Sequence, residues 1–382
     1  VAIVGAGPVG ASVARALAPV GLSVALVESR PPGSIPTAGF DQRVYALNRQ
    51  SRCFLERCDV WQHLSPARIA PVLEMRVFGD DASEIQFSAY RNGVPELAVI
   101  VEEANLQQAL RASLAAQSDL LLMSGVTCTG AQWEGERVAL SMSDGNLIQA
   151  QLVVAADGAE SALRTAAGIA VRVHEYGQTG VVANFRSGQP HRDTAYQWFM
   201  HDGVLALLPL PGNQVSMVWS TSSARAQLLL SADAKELSRQ VGEASDHLLG
   251  GLELVGNTAG FALRRMRAER LIAPRLALVG DTAHNVHPLA GQGLNLGFGD
   301  VQALIDVLAL RGLQSDSGAY ALLRRYERSR REAVLAMEAV TDGLHGLFDS
   351  KLPGMKRLRN TGLRLVNRNS ALKRVLVKRA LG

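Results

Sequence analysis

Two glycine-rich stretches in this sequence have the residue types and spacing that bind phosphorylated cofactors. The first has the pattern G-x-G-x-x-G and directly follows the apolar run Val1–Val4. In such a loop the first glycine permits a tight turn, the second lets the backbone approach a pyrophosphate, and the third allows helix and strand to pack closely. Glu28 ends the next apolar run, where an acid suits ribose hydroxyls. The predicted dinucleotide site therefore comprises Gly5, Gly7, Pro8, Gly10 and Glu28.

Two later loops repeat this order of apolar strand, turn and helix. One strand ends in Asp157-Gly158, and the strand "LALVG" ends at Asp281. A glycine-rich loop and a long amphipathic helical pattern follow Asp281, and a loop that opens a helix directs the positive end of the helix dipole at an electron-rich group. The first motif alone leaves NAD and FAD open, whereas two glycine-rich loops favour an extended ligand such as FAD. The predicted residues of the late loop are Pro288, Gly291, Gln292, Gly293, Leu294 and Asn295.

The three motifs together resemble those of single-component flavin-dependent aromatic hydroxylases. They read G-x-G-x-x-G, D-G-x-x-S-x-x-R and G-D-x-x-H-x-x-x-P, in that order along the chain. The stretches "HPLAGQGLNLGFGD", "FDQRVYALN" and "LPLPGNQVSMVWST" are similar to those of the ubiquinone-biosynthesis hydroxylases (the UbiH, UbiF and VisC group). The similarity covers essentially the whole chain.

The resemblance implies a role for individual residues. It implies that Arg43 contacts the cofactor near its pyrophosphate, that Val126 lies by the adenine, and that Asp281 lies at the ribityl chain. It places Asp157 and Gly158 in a loop involved in both FAD and reduced-nicotinamide binding, and the residues from Pro288 to Asn295 beside the flavin ring. Glu103 departs from the family pattern, which has Asn, Arg or Gln there, and a carboxylate would repel a nearby phosphate.

The alternation of apolar and polar residues predicts an α/β fold built from two interleaved parts. A Rossmann-like FAD-binding domain is predicted over 1–72, 102–170 and 270–325, because the apolar strands there are followed by helical patterns. A mostly antiparallel β-sheet substrate domain is predicted over 73–101 and 171–269, where strand-like alternation dominates. Residues 326–382 are predicted to form a helical C-terminal region.

Charge and cysteine content limit the partners and the compartment. Residues 351–382 contain ten Lys and Arg and no acid, which leaves 29 basic and 35 acidic residues elsewhere. A basic excess confined to the tail gives no reason to expect nucleic-acid binding. The ending "NSALKRVLVKRALG" instead predicts an amphipathic helix that contacts a membrane surface or a partner complex. Three cysteines without a C-x-x-C pair indicate the reducing cytoplasm. The basic ending adds the expectation of peripheral contact at the inner membrane.

Other candidate residues fit structural roles better than chemical ones. His284 and His287 have no Cys or carboxylate at ligand spacing beyond Asp281, so we expect them to pack or to form hydrogen bonds, with no metal bound. Trp198, Phe199 and Trp219 lie in strand-like runs and are expected to form the wall of a sheet, which could also line the substrate cavity.

The chemistry that the resemblance implies is hydroxylation of a polyprenylated phenol in ubiquinone biosynthesis, with FAD, NADH or NADPH, and O₂. No catalytic residue can be named from the sequence. Two alternatives remain open: a flavin hydroxylase of a small soluble aromatic acid, and a non-catalytic, FAD-stabilised assembly subunit.

Overall fold

The computed structural model describes residues 1–31, 39–79, 83–285, 292–311 and 316–349, with side chains up to residue 337. The strands are β1 (Ala2–Val4), β2 (Val24–Glu28), β3 (Val44–Leu47), β4 (Ile69–Val72), β5 (Glu74–Phe78), β6 (Glu84–Ser88), β7 (Ala98–Glu102), β8 (Leu120–Ser124), β9 (Cys128–Glu134), β10 (Arg137–Met142), β11 (Leu147–Ala150), β12 (Val153–Ala155), β13 (Val171–Ser187), β14 (Thr194–Met200), β15 (Gly203–Leu210), β16 (Gln214–Ser222), β17 (Leu252–Ala268), β18 (Ile272–Ala273), β19 (Leu276–Leu278) and β20 (His284–Asn285). The helices are α1 (Pro8–Leu17), α2 (Arg49–Arg57), α3 (Ala89–Asn92), α4 (Glu103–Ala115), α5 (Ala162–Ala166), α6 (Ser223–Ser231), α7 (Ala234–Ala244), α8 (Gly293–Ala309) and α9 (Tyr320–Asp349).

A six-stranded sheet organises the first core, in the order β18-β19-β12-β1-β2-β8. All its pairs except β18 with β19 are parallel. Its central strands are short and wholly buried, as expected where helices cover a parallel sheet. Helices α1, α4 and α8 contribute buried apolar side chains to this core. Pro8 at the first position of α1 and Gly21 in the left-handed conformation after it mark the start and end of that segment.

An eight-stranded sheet organises the second core, in the order β20-β17-β13-β16-β15-β14-β5-β6. Every neighbouring pair except β14 with β5 is antiparallel. One face packs on α6 and α7 through a cluster that includes Trp198, Trp219, Leu229 and Val241. Two smaller three-stranded sheets, β11-β10-β9 and β3-β7-β4, complete the fold.

The predicted fold class, a Rossmann-like parallel sheet with a mostly antiparallel second sheet and a C-terminal helix, is confirmed. Strand β7 begins within the predicted substrate segment 73–101, ends one residue beyond it, and pairs with β3 and β4, which lie outside it. The domain boundaries themselves stay a prediction. Among the described residues, no helix combines the length and apolar character that crossing a membrane requires.

Candidate cofactor site

The predicted site residues lie in a row along one edge of the parallel sheet. Strands β19, β12, β1, β2 and β8 run parallel and are neighbours in that order. The site residues at or just after their carboxyl ends are, in the same order, Asp281, Asp157, Gly5, Glu28 and Val126. Four strand spacings of about 4.8 Å each make this row roughly 19 Å long. Ligands of such sheets bind outside the carboxyl ends of the strands, so the row suits an extended ligand.

The first glycine loop packs closely on neighbouring backbone at Gly5 and Gly10 and has open space at Gly7. Gly5 has φ +100°, and a Cβ on it would lie 2.3 Å from the Ala156 carbonyl oxygen. A Cβ on Gly10 would lie 1.9 Å from the Gly5 carbonyl oxygen, so both positions require glycine. A Cβ on Gly7 would have no protein atom within 4 Å. Gly7 therefore leaves the space in which a phosphate can approach the N-terminus of α1, where no side chain caps the helix.

Glu28 is fixed beside this loop. Its Oε2 accepts a hydrogen bond from the Ala6 N–H at 2.7 Å, and its Oε1 accepts one from the Arg30 N–H at 2.9 Å. The Val126 N–H donates to the Glu28 carbonyl oxygen at 3.1 Å, which brings Val126 next to the end of β2. A carboxylate has about four acceptor sites, so Glu28 retains capacity for ribose hydroxyls.

The second and third loops are joined by Thr282. Its hydroxyl donates to Asp157 Oδ1 at 3.3 Å and accepts from the Gly158 N–H at 3.0 Å. Arg164, from the same motif as Asp157, is buried and donates to the Thr282 carbonyl oxygen at 3.0 Å. The Asp157-Gly158 loop is therefore held against the Asp281 loop, although more than 120 residues separate them in the sequence.

Asp281 lies in a recess with Arg43, Tyr45 and Glu103. Its side chain reaches solvent, yet the surrounding protein limits hydration, and this burial raises the pKa of its carboxyl against the opposing effect of Arg43. Arg43 Nε lies 3.2 Å from Glu103 Oε2, and its guanidinium lies over the Tyr45 ring at 5.6 Å. Burial acts to lower the pKa of Arg43, but Tyr45, Glu103 and Asp281 outweigh it and raise that pKa. Glu103, the departure from the family pattern, is therefore paired with a cation.

Two residues that belong to no motif form hydrogen bonds to the segment before Arg43. Glu102 is 1% exposed and forms a bidentate ion pair with Arg68 at 2.6 and 2.7 Å. Glu102 also accepts a hydrogen bond from the Asp41 N–H, and Arg68 donates to the Gly39 carbonyl oxygen at 3.0 Å. Glu102 and Arg68 are 34 residues apart in the sequence and belong to no recognisable motif, so only the fold identifies this ion pair.

The late loop is described from Gln292 onward. Pro288, Gly291 and His287 lie outside the described residues. Asn295 Oδ1 accepts from the Asn48 N–H at 3.1 Å and from the Ser51 hydroxyl at 2.6 Å, and its amide donates to the Ala46 carbonyl and the Gln292 side chain. These bonds use all four positions of the amide, so Asn295 can meet a ligand only through its backbone. No side chain caps α8, whose first turn contains Gly293 and Leu294.

The structure corrects one expectation about the aromatic residues. Trp198 and Trp219 lie on the face of the large sheet that packs on α6 and α7, so they do not line a cavity on the other face. Phe199 follows Trp198 in β14 and points to that other face, because successive side chains of a strand alternate. His284 forms a hydrogen bond, as expected, to Asp300 at 2.6 Å.

These residues fit a flavin dinucleotide. The space at Gly7, the uncapped N-terminus of α1 and the free acceptor sites of Glu28 suit a pyrophosphate and an adenosine ribose. Asp281, at the other end of the row, is solvent-accessible, and its carboxylate can accept hydrogen bonds from hydroxyls of the kind that a ribityl chain carries.

Comparison with known proteins decides the family. The model of the FAD-binding-domain family matches residues 1–341. The chain belongs to this family, and within it to the ubiquinone-biosynthesis hydroxylases. It is 36% identical to the ubiquinone hydroxylase UbiL of Rhodospirillum rubrum over 387 residues, which cover all of this chain and 89% of the relative. It is 34% identical to the 3-demethoxyubiquinol 3-hydroxylase of Escherichia coli over 384 residues, which cover all of this chain and 98% of the relative.

The fold agrees with this assignment. The crystal structure of p-nitrophenol 4-monooxygenase PnpA from Pseudomonas putida matches with a TM-score of 0.81 at 16% identity, covering all of this chain and 98% of that one. The family assignment confirms FAD as the cofactor. The assignment of individual residues to parts of FAD stays a prediction.

Proposed function

We propose that this chain is an FAD-dependent monooxygenase that hydroxylates the ring of a polyprenylated phenol in ubiquinone biosynthesis, with NADH or NADPH as reductant. FAD, which the Gly5–Gly10 loop, Glu28 and Asp281 would hold, would supply the redox chemistry that lets electrons from the nicotinamide activate O₂. The protein's part is to bind and orient the cofactor, to hold the substrate above it and to exclude water.

The observation that carries this proposal is an apolar row of side chains on the face of the large sheet opposite α6 and α7. Asn184 lies on this face, and its side chain donates to the carbonyl oxygens of Phe40 and Asp41 at 3.0 and 3.1 Å, so the face is turned toward the segment that carries Arg43. The row next to Asn184 across β13, β16 and β15 consists of Val182, Val218 and Ala206. No charged residue occurs in this row, as expected for a wall against a hydrocarbon-rich substrate.

The same row argues against the small-acid alternative. A free carboxylate buried against Val182, Val218 and Ala206 would need a cationic partner to offset its desolvation. The adjacent row of Gly180, Ser220 and Val204 also contains no charged residue. We therefore favour a phenol with a long apolar substituent over a carboxylated phenol.

NAD(P)H consumption tests the proposal directly. Purified holoprotein should oxidise NADH or NADPH faster when a prenylated phenol is added, and hydroxylated product should form. A carboxylated phenol of the same ring pattern is the matched comparison, and stimulation by that compound alone would favour the small-acid alternative. FAD-loaded protein that oxidises neither nicotinamide with any phenol would favour an assembly role.

We also propose that the basic C-terminal segment contacts an anionic membrane surface, from which the prenyl chain would be drawn. This rests on sequence, since residues 350–382 lie outside the described range. Each basic residue near such a surface contributes about 1 kcal/mol. Deletion of residues 370–382 should reduce sedimentation with vesicles of anionic lipid while FAD content stays unchanged. A truncated chain that pellets as well as the intact chain would argue for a docked or solvated tail.

A further inference from the structure

A buried cluster of three ionisable side chains lies directly behind Asp281. Asp300, in α8, is fully buried and accepts from His284 Nε2 at 2.6 Å and from Arg330 Nε at 2.7 Å. Arg330 belongs to α9, and its Nη2 donates to the Leu296 carbonyl oxygen at 3.0 Å. A Cβ on Gly299 would lie 2.8 Å from the Arg330 guanidinium, so the glycine provides the room in which this arginine reaches Asp300.

Asp300 accepts hydrogen bonds from both ends of the turn that contains Asp281. Its Oδ2 accepts from the Gly280 N–H at 3.0 Å as well as from His284. Gly280 directly precedes Asp281, and His284 follows it by three residues. A single carboxylate oxygen thus fixes the two ends of a five-residue turn whose second residue is Asp281. Bonds of this kind to an ionised, buried group are among the strongest that proteins form.

The charges of the cluster are mutually supportive. Burial acts to lower the pKa of His284, but the ion pair with Asp300 outweighs it and raises that pKa. Burial acts to raise the pKa of Asp300, but His284 and Arg330 outweigh it and lower that pKa. Asp300 therefore accepts from both Arg330 and His284, with Asp281 as the next acid near His284. Arg267 of β17 is the cross-strand neighbour of His284 in β20.

Helix α9 also contacts the strands that lead to this turn. The Tyr326 hydroxyl donates to the Leu278 carbonyl oxygen at 2.7 Å, and Glu327 accepts from the Leu271 N–H at 3.0 Å. Leu278 ends β19, two residues before Gly280. Helix α9 therefore contacts both the strand before the turn and the carboxylate behind it.

We propose that Asp300 is a positioning residue for cofactor binding, which with His284 and Arg330 presents Asp281 to the flavin half of FAD and couples that half to helix α9. Asp300 does not touch the cofactor. Among the described residues its hydrogen bonds are with Gly280, His284 and Arg330, and none is with the Gly5–Gly10 loop or Glu28. Gly280 packs near Val9 of that loop, but no charge of the cluster is directed at it, so we expect the effect to be largest at the Asp281 end of the row.

Comparison of FAD with ADP separates positioning from general destabilisation. ADP occupies only the Gly5–Gly10 and Glu28 end of the site, whereas FAD needs both ends. Asp300→Asn should weaken FAD binding by about tenfold or more, since it removes the charge that accepts the two hydrogen bonds fixing the turn and the one from Arg330. ADP binding, measured by calorimetry, should change by less than about twofold, because none of the hydrogen bonds of Asp300 is made at the ADP end.

A matched control is the ion pair of Arg275 with Asp316, at 2.7 Å, whose arginine is also buried but lies away from the row. Arg275→Gln should lower the urea midpoint without changing the ratio of FAD to ADP affinity. Equal losses of FAD and ADP affinity in Asp300→Asn, or no loss of either, would overturn the proposal.

Two substitutions at His284 keep the proposal testable if Asp300→Asn does not fold. His284→Gln retains a side-chain N–H that can donate to Asp300, so it should keep a wild-type ratio of FAD to ADP affinity at neutral pH. His284→Ala removes the donor and should lower that ratio about tenfold, as expected for one hydrogen bond to a charged group. A wild-type ratio in His284→Ala would overturn the proposal.

Discussion

A methyl group added at Gly10 and one added at Gly7 should have opposite effects, because the two glycines have different surroundings. At Gly10 the new Cβ would lie 1.9 Å from the Gly5 carbonyl oxygen and 2.9 Å from Ala156 Cβ. Restoring an ordinary contact of 3.4 Å requires α1 to move away from β1 by about 1.5 Å. At Gly7 the new Cβ would meet no protein atom within 4 Å.

The expected magnitudes follow from these contacts. Gly10→Ala should lower the free energy of unfolding of the FAD-free protein by about 3 kcal/mol, the upper end of overpacking costs, because the clash is with backbone. Gly7→Ala should lower it by less than about 1 kcal/mol, the difference between glycine and alanine before a helix. Gly7→Ala should nevertheless weaken FAD binding by about tenfold or more, since its Cβ occupies the space of the pyrophosphate.

Urea denaturation of the FAD-free protein and titration with FAD, followed by flavin fluorescence, measure both quantities. Gly130→Ala is the matched control, because Gly130 is not part of the row and a Cβ there would make an ordinary contact of 3.9 Å with Ser141 Cβ. It should change neither quantity appreciably. A Gly7→Ala variant that binds FAD as tightly as the wild type would refute the placement of the pyrophosphate. An unchanged urea midpoint in Gly10→Ala would refute the packing argument.

The remaining expectations concern the cofactor and three polar residues. Denaturation should release FAD into the supernatant, because the three cysteines lie outside the cofactor loops; flavin that stays on the precipitated chain would contradict this. Asp281→Asn should weaken FAD binding yet raise the urea midpoint of the FAD-free protein at pH 7. Burial raises the pKa of the Asp281 carboxyl, so ionisation of this group lowers the stability of the wild type as pH rises. The advantage of Asp281→Asn in urea midpoint should therefore vanish below about pH 4, and an advantage that does not depend on pH would be inconsistent with this cause. The pKa of His284 is raised because the effect of Asp300 outweighs that of burial. The charge of His284 therefore contributes stability below about pH 6.5, and this contribution is lost as pH rises through the pKa of the folded state. His284→Gln should remove that decline from the urea midpoints, and an unchanged pH profile would count against the ion pair. Asn295→Ala should lower the free energy of unfolding by about 2–3 kcal/mol, since it removes the acceptor of the Asn48 N–H and of the Ser51 hydroxyl; a loss below about 0.5 kcal/mol, the smallest effect expected of one hydrogen bond, would argue against that network.

The sequence by itself determined the family, the cofactor and the loops that follow the parallel strands. In each of those loops an apolar strand, a turn and the start of a helix occur within about ten residues, so the pattern can be recognised in a short stretch of sequence. Gly5 and Gly10 illustrate this, because their requirement for glycine comes from contacts within the first motif and with Ala156. Glu28 follows at the spacing set by one helix and one strand, so it too can be read from sequence.

Only the tertiary structure decided how those loops are held and which face of the large sheet the helices cover. Thr282 joins two motifs, Glu102 pairs with Arg68, and Asp300 pairs with Arg330 across 30 residues. Such contacts have no fixed spacing in the chain, because they depend on where separate elements pack. The faces of Trp198 and Trp219 were likewise set by strand pairing and by the helices that cover one side of the sheet. Alternation predicts that neighbouring residues point to opposite faces, but which face is covered is decided by packing between elements.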